Sequence, residues 1–166
     1  MISPDHARLM ARYNKWQNQS LYGAADALSD EARRQDRGAF FGSIFDTFRH
    51  LLFADQLWMH RLAGLAKPDA PPVRGGVAID NWRELGVARA ALDDVISDWA
   101  RELTSDWLAR DMTWFSMSAA KEFTHPNWLL TTHFFNHQTH HRGQAHAMLT
   151  AAGAKPDDTD ITLLPA

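Results

Sequence analysis

Three features of the sequence predict an all-α protein built as a four-helix bundle. Apolar residues recur every three or four positions over four long stretches. Glycine, proline, serine and aspartate break the chain between those stretches. Only one short passage alternates in the manner of a strand. Helices with a single apolar face bury it against one another, and a bundle is their default arrangement.

The first stripe, Leu9, Tyr13, Trp16, Leu21, Ala24 and Leu28, predicts a helix over residues 4–28. Ser29 and Asp30 break it, and the polar run through Arg37 and Gly38 reads as a loop. Ile44, Phe48, Leu51, Trp58 and Leu62 predict a second helix from about 41 to 64, closed by Gly64 and Pro68. Residues 67–76 are rich in proline and glycine and read as a connection without regular structure. Trp82, Leu85, Leu92, Val95, Trp99 and Leu103 form the third stripe, with Asp80 as its expected N-cap. The fourth helix starts near Pro126, a residue favoured in a first turn, and ends before Gly153.

Residues 104–125 form a long connection before that last helix. Leu108, Met112 and Trp114 alternate with Arg110, Asp111 and Thr113, the pattern of a short hairpin turning near Ser118, Ala119 and Ala120. A connection of this length points to a crossover or a functional loop. The tail beyond Gly153 is polar, then ends in Ile161, Thr162, Leu163 and Leu164, a segment suited to docking on the bundle or on a partner.

Composition bounds the function. A chain of 166 residues is one domain's worth, so residues 1–166 are expected to form a single domain. A 45% hydrophobic fraction and seven tryptophans exclude disorder. The formal charge of −3 and the lack of a basic arm argue against nucleic acid as a partner. With no cysteine there is no disulfide, thiolate nucleophile or Cys-based zinc finger. The first residues lack a signal-peptide pattern, and no apolar run approaches the roughly 20 residues that span a bilayer. A cytoplasmic protein without membrane contact is the expectation.

The densest chemical signal is H-F-F-N-H-Q-T-H-H-R-G-Q-A-H over 133–146, which holds five of the nine histidines. Imidazole is a common ligand for zinc and nickel. At about 100° per residue, Leu130, Phe134, His137, His141, Gln144, Ala145, Met148 and Ala152 share one helical face. His137 and His141, four apart within it, can converge on one ion. His133 and His140 lie on the flank, and His146 points away. Arg142 falls outside this stripe and is expected to make a salt bridge or a cap. Catalytic metals usually take three protein ligands and keep one position open. The candidate histidines elsewhere are His6, His50, His60 and His125; His50 lies at the edge of the second helix's stripe, and Asp55, nearer its centre, is the rival. Periodicity leaves both open, with Asp55 as a ligand or as an acceptor for an imidazole N–H. Gln144 faces inward one turn from His141 and is a candidate to orient it. Trp58, Trp82 and Trp99 read as core, whereas Trp107, Trp114, Phe115 and Trp128 are candidates for a cleft or a subunit contact.

Four segments together resemble the DinB/YfiT-like metalloenzyme superfamily: R-Y-N-K-W-Q-N-Q-S-L (12–21), F-R-H-L-L-F-A-D-Q-L-W (48–58), F-N-H-Q-T-H-H-R-G-Q-A-H-A-M-L (135–149) and A-A-G-A-K-P-D-D-T-D (151–160). The resemblance implies an up-down-down-up bundle whose long crossover is residues 65–79, with one divalent metal ion, zinc or nickel, at an open end. It implies His50, His137 and His141 as the ligands, and a homodimer. It also implies a metal-dependent transferase or hydrolase for a small molecule, working with a low-molecular-weight thiol or with metal-activated water as nucleophile. The alternative is a non-enzymatic stress-response protein whose metal site is structural or vestigial.

Overall fold

A computed structural model describes residues 1–69, 76–116 and 119–165. The helices are α1 (Pro4–Asp26), α2 (Asp30–Arg34), α3 (Ile44–Ala63), α4 (Trp82–Glu102), α5 (Ser105–Ala109) and α6 (Asn127–Ala151). Strands β1 (Asp111–Ser116) and β2 (Lys121–Pro126) precede α6, and a 3-10 turn, Ile161–Leu163, lies near the end. The four long helices form the bundle. α1 packs on α4 and α6, and α3 packs on the same two, so α1 faces α3 across the diagonal. This ring is the expected up-down-down-up arrangement, and the long α3–α4 connection lets consecutive helices run in the same direction.

Local chemistry sets several of these helix ends. Ser3, Ser43 and Asn81 cap α1, α3 and α4 by accepting the backbone N–H three residues on. The N-cap of α4 is therefore Asn81, not Asp80, which instead accepts from Arg34 at 2.9 Å. Gly64 ends α3 at φ 70°, and Gly153 follows α6 at φ 83°, a left-handed backbone that favours glycine. The break at Ser29 is shorter than its polarity suggests. Ser29 caps the one-turn α2, whose buried Arg33 donates to the carbonyls of Ala25 and Leu28.

The passage before α6 is a hairpin preceded by the single turn α5. β1 pairs antiparallel with β2, from Asp111 opposite Pro126 to Ser116 opposite Lys121. The turn expected near Ser118 lies partly outside the described residues. Trp114 carries the hairpin onto α3 by packing on Trp58, ring centroids 5.3 Å apart. The tail lies along α1: Tyr13 and Gln17 donate to the carbonyls of Thr159 and Asp158, at 2.7 and 2.9 Å. Ile161 and Leu163 remain exposed.

The core runs through all four long helices, with Phe45, Phe48, Ile96, Phe134 and Leu149 fully enclosed. Its centre is polar. Asp55 of α3 pairs with Arg89 of α4 at 2.6 Å, and Arg89 also pairs with Asp93 at 2.9 Å. Asn14 and Asn18 of α1 donate to Asp93, while Gln138 of α6 donates to Asp55 at 3.0 Å. Arg142 donates to Asn14. Its expected place outside the core is thus corrected: Arg142 is buried, because α6 packs on α1 as well as α3 and encloses a wide arc.

Candidate metal centre

His50 sits near the start of α3, where two backbone segments hold it. On one side the 35–43 loop folds back through a bridge between Ala39 and Gly42, laying the Phe41 ring on His50 at a centroid distance of 3.9 Å. On the other side the crossover returns as Gly76 and Val77. Val77 N donates to Arg49 O at 3.3 Å, and Arg49 Nε donates to Val77 O at 2.8 Å. A Cβ at Gly76 would stand 2.8 Å from the Arg49 Cβ, so only glycine permits this approach.

α6 supplies the other two imidazoles. His137 and His141 are one turn apart with ring centroids at 4.5 Å, and His50 lies 5.3 and 4.7 Å from them. One nitrogen of each of the three rings lies within 4.8 Å of the others. His50 Nε2 and His137 Nε2 are 3.4 Å apart. Two nitrogens bound at about 2.05 Å to one tetrahedral zinc are separated by about 3.3 Å, so this spacing is that of a ligand pair. The three-His cluster can therefore coordinate a divalent metal ion. Of the two residues that periodicity left open, His50 joins the pair. Asp55 is turned into the core, where its Oδ2 accepts from Arg89 and Gln138.

Hydrogen bonding prepares His141 as a donor to an ion. Gln144 Oε1 lies 2.7 Å from His141 Nδ1, which then carries the proton and leaves the Nε2 lone pair for the cluster. Gln144 is itself oriented, since its Nε2 lies 3.3 Å from His140 Nε2. His140 is thus linked to His141 through Gln144. The sequence placed it only on the flank; its i, i+4 spacing to Gln144 was the available signal. His133 and His146 stand outside the cluster.

The electrostatics favour neutral imidazoles. Burial pushes His137 down to about 3, and the neighbouring His141, His50, His133 and His140 push the same way. Burial also lowers His141, opposed by its bond to Gln144. His137 Nδ1 is buried without a partner. A half-buried imidazole that resists protonation keeps a lone pair free for an ion. Asp55 is moved the other way, raised to about 6 by burial, with Arg89 holding it down.

Comparison with known proteins agrees with this architecture. No curated protein matches the chain. Among solved structures, a DinB-like protein from Bacillus cereus ATCC 10987 superposes with a TM-score of 0.63 at 18% identity, covering 86% of this chain and 90% of that one. At that identity the likeness concerns the fold. The DinB family model matches residues 3–166, essentially the whole chain, and the protein belongs to the DinB family.

Proposed function

We propose that this protein is a metal-dependent transferase or hydrolase of small molecules, with His50, His137 and His141 as the ligands of one zinc or nickel ion. The observation that carries the reading is that three imidazoles, and no fourth ligand among the described residues, converge: one nitrogen of each lies within 4.8 Å of the others. Three protein ligands with an open position are the pattern of catalytic metal sites, whereas structural sites close the shell with a fourth. When bound, such an ion lowers the pKa of a thiol or water at its open position and so supplies a nucleophile near neutral pH.

The chain's own residues prepare that position. Gln144 selects the His141 tautomer, Phe41 shields one face of His50, and burial keeps His137 unprotonated. A low-molecular-weight thiol as co-substrate, a homodimer and a cytoplasmic setting belong to the same reading. No helix among the described residues is long and apolar enough to cross a membrane.

Cobalt-substituted protein tests it. One ion per chain is expected, and 2-mercaptoethanol should shift the visible cobalt bands and add a sulfur-to-metal absorption. A spectrum indifferent to thiol and to pH would favour the non-enzymatic alternative.

The pH dependence follows from the lowered imidazoles. An unfolded histidine takes a proton near pH 6.5, but folded His137 takes one only near 3. The unfolded chain thus binds more protons between those values, and metal-free protein should lose stability as pH falls through that window. For the same reason, protons should compete with zinc at His137 and His141 only below the ordinary imidazole range. Zinc release followed with a chromogenic chelator should have its midpoint below about pH 6; a midpoint near 7 would contradict this assignment.

A further inference from the structure

We propose that Arg61 anchors a carboxylate on the elongated small molecule that reacts at the three-His cluster, an inference that rests on the metal-dependent reading above. The guanidinium carbon lies 4.8 Å from the Trp58 ring centre and 4.7 Å from that of Trp114. The two indoles fix its position by cation–π contact and leave the N–H edges available. One of those edges donates to the Phe115 carbonyl at 3.3 Å. Arg61 has no ion pair among the described residues, whereas Arg8, Arg34, Arg49 and Arg89 each lie within 4 Å of an aspartate. A half-buried guanidinium that is held but not neutralised is a receptor for an anion, and its fork matches a carboxylate.

The path from Arg61 to the cluster is continuous. His133 touches His137 on one side, ring centroids 6.0 Å apart, and Trp58 on the other at 4.9 Å. Arg61 lies on the same face of α3 as His50. Eleven residues at 1.5 Å each put their backbones about 16 Å apart. Helical side chains lean toward the N-terminus, which brings the guanidinium back over Trp58 and toward the cluster. Between the two ends Trp58 is buried and His133 is exposed, so His133 is the solvent-facing residue of this path. A molecule with its reacting atom at the cluster and its carboxylate on Arg61 must therefore be extended. The ring contacts from His137 to His133, on to Trp58 and then to the guanidinium are steps of 6.0, 4.9 and 4.8 Å, and a tripeptide of about 10 Å is an extended probe that fits within them.

S-Methylglutathione, a tripeptide with two carboxylates and no free thiol, separates this inference from the functional reading. Titrated into zinc-loaded protein, it should move the Arg61 Nε–H resonance saturably. Arg61→Gln should weaken its binding, measured by calorimetry, at least tenfold, and Arg61→Lys should restore part of the loss. Zinc content and thermal midpoint serve as controls, because a purely structural Arg61 would change those and not the selective affinity. Absence of binding, an unmoved Arg61 resonance, or an Arg61→Gln affinity within twofold of the parent overturns the proposal. If the Gln variant does not fold, the Arg61 resonance of the parent protein decides. The response of cobalt-loaded protein to uncharged 2-mercaptoethanol tests the open metal position independently, so either idea can fail alone.

Discussion

Replacing both His137 and His141 by alanine is expected to abolish stoichiometric binding of a divalent ion, measured by elemental analysis after dialysis. The pair supplies two of the three nitrogens that meet within 4.8 Å, and His50 alone cannot hold an ion against water. His50→Ala should weaken binding severely, whereas His146→Ala should leave it unchanged, since His146 lies outside the cluster. Gln144→Ala is expected to cost about 10–100-fold in affinity by releasing the His141 tautomer. The metal-free fold should survive these changes, because His137 carries an unpartnered Nδ1 and a depressed pKa there. Zinc should raise the melting temperature of the parent protein and not that of the double variant. Metal retained in the His137→Ala, His141→Ala protein would refute the assignment.

Arg89→Ala is expected to be the most destabilising single change, at about 3–5 kcal/mol, because it strands two buried carboxylates without their counter-charge. Arg89 is 3% exposed, and Asp55 and Asp93 are 1% and 2% exposed. Against a total stability of about 5–15 kcal/mol, that loss is a large share. The sign of its pH dependence follows from Asp55, already raised to about 6 by burial with Arg89 holding it down. Without Arg89 the folded-state pKa rises further, so the folded protein binds more protons than the unfolded one across that range. The penalty is complete above the folded pKa and relieved as pH falls through it. Urea denaturation should therefore show a smaller deficit for Arg89→Ala at pH 5 than at pH 8, and an equal deficit would refute the explanation. Loss of the exposed Lys15–Asp94 pair should cost under about 1 kcal/mol by comparison.

The polar centre also explains where sequence reading went astray. The apolar stripe assigned to the first helix included Leu9, yet Leu9 is 39% exposed and Asn14, Gln17 and Asn18 are buried. α1 is rotated so that its amides reach Asp93 of α4 and the tail carbonyls. An apolar count takes those amides for a solvated face. The same cause hid Arg142, whose partner Asn14 lies on another helix. In α4, Ile96 is buried while the neighbouring Val95, assigned to the stripe, is 37% exposed. Features set by near neighbours were easier to read. The hairpin, the glycine stops and the His137–His141 pair all depend on residues within a few positions of one another.

From the linear chain alone one could read four amphipathic helices, a hairpin before the last of them, and two histidines a turn apart on one buried face. Each is a periodicity or a local signal carried by consecutive residues. Packing decided the rest. It brought His50 to the pair and turned Asp55 toward Arg89, a choice that periodicity left open. It laid Phe41 over His50, and it linked His140 through Gln144 to His141. The physical reason is that a helix's own repeat says which residues share a face, whereas the partner on that face is set by the rotation of a neighbouring helix. In this bundle a buried ionic network, as well as apolar packing, ties the neighbouring helices together.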